Sequence, residues 1–390
     1  RRDETGDYDY LCTAGLAFVF LVGVRREMRA RGFFANGIAE PDLWNWMGIV
    51  ALGSVCDVVP LKGLNRAFVS VGMPLMGEIP GLRELREVNG DPDYNERTCG
   101  WVFGPCINAE GRIGDTRSGT ILLSTDDPVT AREMAVKLFE TNKERQEITE
   151  DAKNLAIELA SGPMKDDSTV VIHNEDWHPG IIGIVAGRVK EAVGKPTVII
   201  GRGGTGSCRS VTGYDIGAAV DRALAAGILD KGGGHKMAAG LHVHPDRVGE
   251  LRELMCSLSE GFEQPPLEVD ITMECGGLTP ALVESLEALR PFGMGNPQPR
   301  FAITGGFVTR VEIMKGIHIK LHMAGRFGAC KALLWNAIGT PLGDALALSE
   351  DRFVDVYGRA RVDFHAGKNS AVILIDDAMV RQEASEEEAA

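Results

Sequence analysis

The sequence predicts a multidomain α/β protein: the remainder of an α/β lobe, a long connecting helix, a second α/β domain and a C-terminal β-barrel. Three observations carry that expectation. Residues 126–159 hold one long helical pattern whose single proline, Pro128, suits a first helical turn. After Ser161-Gly162-Pro163, short apolar runs alternate with helical patterns, the mark of an α/β unit. From about Pro265 the texture changes to short strands with glycine turns, for which an OB-fold is the leading candidate. The expected divisions are 1–125, 126–160, 161–262 and 263–380, followed by an acidic tail, 381–390.

Composition sets the frame. A chain of 390 residues exceeds one ordinary core, and 44% apolar with 25% charged residues is usual for a soluble enzyme. Eight cysteines without a C-x-x-C pair suggest neither a zinc site nor a disulfide framework, so reduced thiols in the cytoplasm are expected. The apolar run from Leu11 to Val24 is too short to span a bilayer and reads as a buried helix, so no membrane is implied. The net charge of −14 governs long-range steering, whereas a lined groove governs local contact. A basic channel in an acidic protein is therefore allowed, with binding that weakens steeply with salt. The first residue is Arg rather than Met, as a fragment would have.

In order, the pattern from Leu11 to Arg31 is helical and ends at Gly32; a second helix is expected from Pro41 to about Leu52, with Trp44, Met47 and Val50 on one face. SVCDVVPL is a short apolar segment holding one acid, Asp57, and short helices follow over Asn65–Met73 and Pro80–Val88. In the long helix Val129, Met134, Leu138, Ile148, Leu155 and Leu159 mark apolar faces, while Lys143, Glu144, Arg145, Glu147 and Glu150 read as solvated. Continuous, it would be about 50 Å long; two helices bent near Asn142 are the alternative. Strands are expected at Thr169–Ile172 and Pro196–Ile200, and helices at Ile181–Val193 and Asp215–Ala226. The barrel strands are Phe301–Ile303, Phe307–Val311, Ile317–Met323, Ala329–Trp335, Phe353–Val362 and Ala371–Asp377. Phe301, Phe307, Phe327 and Trp335 lie there, with core packing the expected role for most.

Five strings carry chemistry. Asp57, among valines at the end of what reads as a buried strand, would be costly unless paired or bound to a hard divalent cation; a helix N-cap or turn aspartate is the alternative. GPCINAEGRIGD puts Asn108 and Arg112 in a glycine-flanked loop with Asp115 close behind, fit to grip phosphate or to form a structural Arg–Asp pair. DWHPG sets His178 before a helix start, as an anion donor or as a cap. GRGGTGSCRS offers Ser207, Arg209 and Ser210 as donors, without the Gly-Lys-Ser/Thr ending of a P-loop. KGGGHKMAAG reads as a nest of Gly233 and Gly234 ending at His235, suited to a phosphate or nucleotide.

Together and in order, these strings resemble the RecJ family within the Asp-His-His phosphoesterases, with PFGMGNPQPRF resembling the entry to that family's OB-fold. The resemblance implies a single-strand-specific 5′→3′ DNA exonuclease of repair and recombination that uses two Mn²⁺ or Mg²⁺ ions. Asp57 would be a metal ligand, and Asn108 and Arg112 would lie near the scissile or terminal phosphate. Ser207, Arg209 and His235 would hold the DNA backbone. Cys208 stands where the family pattern has glycine. The family's Asp-x-Asp and Asp-His-His motifs are absent from this sequence, so the chain by itself is expected to be inactive. Single-stranded DNA would be the partner, with a single-strand-binding protein or a helicase beside it. Two other readings stand: an oligoribonucleotide or nucleotide phosphoesterase of the same superfamily, and a non-catalytic single-strand-binding replication factor.

Overall fold

Helices occupy the first third of the chain in the computed structural model, which describes residues 6, 8–91, 93–114, 116–365 and 368–381. The chain divides into two units, Arg1–Val59 with Gly63–Pro266, and Pro60–Lys62 with Leu267–Ala390.

In the first unit, α1 (Thr13–Ala30) begins where Cys12 Sγ accepts from Gly15 N, and the chain beyond it turns through Gly32 at φ 72°. Then come α2 (Met47–Cys56), α3 (Gly63–Leu75), α4 (Pro80–Asn89) and α5 (Ser118–Ser124). Two expectations are corrected here. The α1 helix is not buried: Phe20, Leu21 and Val22 are exposed, while Phe18 packs edge-on against Phe68. A run that is apolar all round satisfies hydropathy, but only the stripe facing a neighbour is covered. Nor is SVCDVVPL a strand, because its first residues finish α2 and Asp57 is the helix's exposed C-cap.

The long helix, α6 (Pro128–Ser161), is a single unbroken element of 34 residues capped by Asp127, which accepts from Thr130 N at 3.0 Å. Its buried residues are Ala131, Ala135, Leu138, Asn142, Arg145, Thr149, Ala152, Ala156 and Ala160, whereas Val129, Ile148 and Leu155 are exposed. Small residues let neighbouring helices approach closely, so the packed stripe differs from the one its largest apolar side chains mark. Arg145, read as solvated, is therefore inside.

Five strands form one sheet in the order β1-β2-β3-β5-β4. They are β1 (Val170–His173), β2 (Thr197–Ile200), β3 (Thr205–Arg209), β4 (Lys231–His235) and β5 (Ala238–His242). Only β1 and β2 run parallel, joined by α7 (Pro179–Val193). Alternation sorts the faces. Val170, Ile172 and Ile199 pack with α6 and α7 residues, while Val171, Val198, Ile200, Cys208 and Leu241 pack with α8 (Ile216–Ala225) and α9 (Val248–Ser259).

The second unit holds β6 (Ile271–Met273), β7 (Arg300–Met314), β8 (His318–Gly325), β9 (Gly328–Leu334), β10 (Phe353–His365) and β11 (Lys368–Val380). The order β10-β11-β9-β8-β7-β6, closed by pairing of β10 with β7, makes a five-strand barrel of OB type with β6 alongside. The two strands expected at 301–303 and 307–311 are one, bending at Gly305 with φ 64°. Phe301 is in the core, but Phe327 and Trp335 are exposed, which corrects the core role expected for them. Apart from residue 381, the acidic tail lies outside the described residues. Among the described residues no helix is long and apolar enough to cross a membrane.

Gly81 of α4 sits where an added Cβ would lie 1.9 Å from the Leu122 carbonyl oxygen of α5. Gly81→Ala is therefore expected to lower stability by about 2 kcal/mol, read from chemical denaturation.

Candidate functional site

Two segments distant in sequence meet around an open cleft of about 500 Å³. One is the short turn Glu110–Ile113; the other is the start of α7 with the neighbouring strand β3. Asn108, Arg112, Gly180, Gly183, Ser207 and Arg209 are among the lining residues. Glycine is needed for space at the first of these α7 positions, and the second is close-packed. A Cβ on Gly180 would stand 2.1 Å from the Arg112 carbonyl oxygen, and one on Gly183 would crowd Arg209 Nη2 and Ser207 Oγ at 3.1 Å each. The close approach lets Arg112 Nη1 donate to Gly180 O at 3.0 Å. Arg209 Nη1 donates to Cys208 O at 2.8 Å and to Ser207 Oγ at 3.2 Å, which fixes the guanidinium against the strand.

The charge balance of this cleft is one-sided. Among the described residues neither Arg112 nor Arg209 is paired with a carboxylate. Burial lowers the pKa of Arg209, the Cys208 thiol beside it works the other way, and the like charge of Arg112 adds to the lowering. Guanidinium remains charged regardless, so two cations face one cleft without a carboxylate partner among the described residues. Such an arrangement costs free energy until an anion occupies it.

Glu110 holds the turn in place. It is buried, accepts from Ser118 N at 2.9 Å and Ser118 Oγ at 2.7 Å, and pairs with Lys137 Nζ of α6 at 2.8 Å. Burial alone would raise its pKa, but the Lys137 and Ser118 donors outweigh it and hold the group below its ordinary value. Sequence reasoning missed Glu110, although it lies inside the motif.

The remaining candidates are placed as follows. Ser207 and Arg209 stand on a strand rather than in a loop, and Cys208 between them turns to the core, where burial pushes its thiol up to about 12. Gly233 and His235 also belong to a strand, β4, not to a nest. Register sets Ser207 opposite Gly240 and Gly240 opposite Gly233; likewise Arg209 faces Ala238, and Ala238 faces His235. These rows share one sheet face. A Cβ at Gly233 would meet nothing within 4 Å, and one at Gly240 only Gly206 O at 3.9 Å, so packing does not demand glycine at either position. Gly234 is different: its Cβ would meet Ala238 O at 2.5 Å, which makes it a packing glycine. His178 is an exposed cap whose Nδ1 accepts from Gly180 N at 3.0 Å, and Ile181 N is taken by His178 O, so those two N–H groups are engaged while the ring proton stands on Nε2. One expected donor is corrected. Ser210 is buried, with Oγ donating to Tyr214 O at 2.7 Å. Asp115 lies outside the described residues.

Residues 166–260 match the family model described as the DHHA1 domain, and 269–377 that of the RecJ OB domain. The single-stranded-DNA-specific exonuclease RecJ of Dickeya dadantii is 32% identical over 94% of this chain and 67% of its own length. The chain belongs to the RecJ family. RecJ of Escherichia coli is 30% identical over the same shares, 94% and 67%. RecJ of Thermus thermophilus, solved in complex with Mn²⁺, superposes with a TM-score of 0.75 at 26% identity, covering 89% of this chain and 51% of that one. The Mg²⁺ complex gives 0.74 at 27% identity, covering 89% and 54%. The chain thus spans about two thirds of the length of those RecJ sequences and about half of the Thermus chains.

Among the described residues there is no group of three or more His, Cys, Asp or Glu side chains that could hold an ion. Asp57 is one exposed carboxylate outside the cleft lining, followed by Val58 in the left-handed region at φ 52°. By itself it does not make a two-metal cluster. The RecJ-type barrel carries two exposed aromatics with cations over them. Arg361 lies 5.8 Å from the Trp335 ring centre and Arg326 lies 5.2 Å from that of Phe327.

Because the folded pKa of Glu110 is lowered, its stabilisation is complete above the unfolded value of about 4.3 and is lost as pH falls through the lower folded value. Glu110→Gln is expected to cost about 2 kcal/mol at neutral pH, with the gap from the parent chain closing in acid. Urea melts across pH check this, and a gap that does not change with pH would contradict it.

Proposed function

We propose that this chain is the phosphate-gripping and strand-binding part of a single-stranded-DNA-specific 5′→3′ exonuclease acting in repair and recombination in the cytoplasm. The observation that carries the reading is the pair Arg112 and Arg209 around an open cleft with no acid partner among the described residues. The 5′-terminal phosphate of a single strand fills that cleft, held by the two guanidinium groups, Ser207 Oγ and the exposed Asn108 amide. The next nucleotides lie over the side-chain-free positions Gly240 and Gly233 towards His235, where a backbone can approach closely. The divisions 1–125, 126–160, 161–262 and 263–380 are proposed as its domains.

Mn²⁺ or Mg²⁺ is the proposed metal, with Asp57 as one ligand and the others supplied from beyond the described residues. The RecJ-type OB barrel, with Trp335 and Phe327 exposed, supports a long single strand over a short oligoribonucleotide as substrate. A single-strand-binding protein or a helicase is the proposed protein partner.

Fluorescence anisotropy with 5′-phosphorylated and 5′-hydroxyl single strands tests the reading. The phosphorylated end is expected to bind about tenfold tighter at low salt, and Arg209→Ala to abolish that preference. Equal affinity for the two ends would overturn it.

A further inference from the structure

Residues Cys99–Phe103 coil as one π-helical turn directly ahead of the segment that carries Asn108 and Arg112. Turns of this kind are rare and frequently accompany functional sites. Cys99 and Phe103 face inward, while Trp101 faces out and is 64% exposed. Leaving an indole in water forgoes a large apolar burial. Its nearest ring partner is a cation: the Arg188 guanidinium of α7 lies 5.5 Å from the ring centre. Arg188 follows Gly183 of the phosphate cleft on the same helix, about 7.5 Å further along the axis.

A second observation joins that position to the cleft. Arg145 of α6 is only 7% exposed, and its Nε has no partner. Its Nη2 donates to Asn142 Oδ1 at 2.7 Å, and no carboxylate is paired with it among the described residues. Burial lowers its pKa, and the like charges of Arg112 and Arg188 lower it further. Among the described residues, positive charge therefore runs from the cleft past Arg145 to Arg188, which pairs with the exposed Glu191 at 3.0 Å. A polyanion leaving the cleft in this direction meets a cation and then an aromatic surface.

We propose that Trp101 and Arg188 form a nucleotide subsite in which a base of the bound single strand stacks on the indole and its phosphate rests on Arg188. This rests on the phosphate-cleft reading above. Because every base has a π-face, the subsite accepts any base.

The test is binding of thymidine 5′-phosphate and of 5′-phosphorylated and 5′-hydroxyl hexathymidylate to the 390-residue chain. Trp101→Ala, Trp101→Phe and Arg188→Ala are compared with the parent, and melting curves confirm folding. Trp101→Ala is expected to weaken hexathymidylate about tenfold, while thymidine 5′-phosphate affinity and the phosphate-to-hydroxyl ratio stay unchanged. Trp101→Phe should keep most of the affinity yet lose part of the tryptophan quenching that accompanies binding. Parent-like hexathymidylate binding by Trp101→Ala, with quenching unmoved in Trp101→Phe, would make the pair a surface staple and overturn the proposal. A phosphate-to-hydroxyl ratio near one in the parent would overturn the cleft reading instead, leaving the Trp101 result to stand by itself.

Discussion

The approach of the Glu110–Ile113 turn to the first turn of α7 is the constraint on which the candidate site depends. Gly180 permits it by having no Cβ, and the Arg112 Nη1 bond to Gly180 O ties the two segments. Glu110 anchors the turn to α5 and α6 from behind. Without that approach, Arg112 and Arg209 would belong to separate surfaces, and each would be an ordinary solvated cation. With it, two like charges share a cleft without a carboxylate partner among the described residues, an arrangement that the proposed anion would relieve.

This local picture coexists with a net charge of −14. The two are compatible because screening confines charge effects to about 10 Å at ordinary salt, so the cleft arginines act on a ligand already at the surface. Contacts of this type weaken as salt rises. The fold contributes in the same local manner. Alanines along α6 bring it close to its neighbours, and the bare positions Gly233 and Gly240 leave one sheet face open beside Ser207 and Arg209.

Much of the architecture was legible because its signals are periodic or punctuated: Gly32 after α1, Pro128 opening α6, and glycine turns between barrel strands. Asn108, Arg112, Ser207 and Arg209 were legible for a different reason, since each stands in a motif rich in small residues. What failed was inference from hydropathy to burial. Leu11–Val24 reads as buried from its composition, yet cover depends on which neighbours exist around the helix. Arg145 reads as solvated because its charge outweighs a stripe of alanines in any hydropathy pattern. The glycines before His235 read as a nest because glycine marks both turns and bare strands; only the pairing with β5 separates these. Ser210 carries a plausible donor atom, but a local backbone carbonyl uses it.

In the proposed function, the Gly180–Arg112 approach creates the anion site. Thermal melting in sodium phosphate and in sodium chloride of equal ionic strength, for the parent chain and Gly180→Ala, tests it most directly. A higher melting temperature in phosphate is expected for the parent and no phosphate increment for the variant, as when an anion binds only the native site. The same increment in both proteins, or none in the parent, would contradict it.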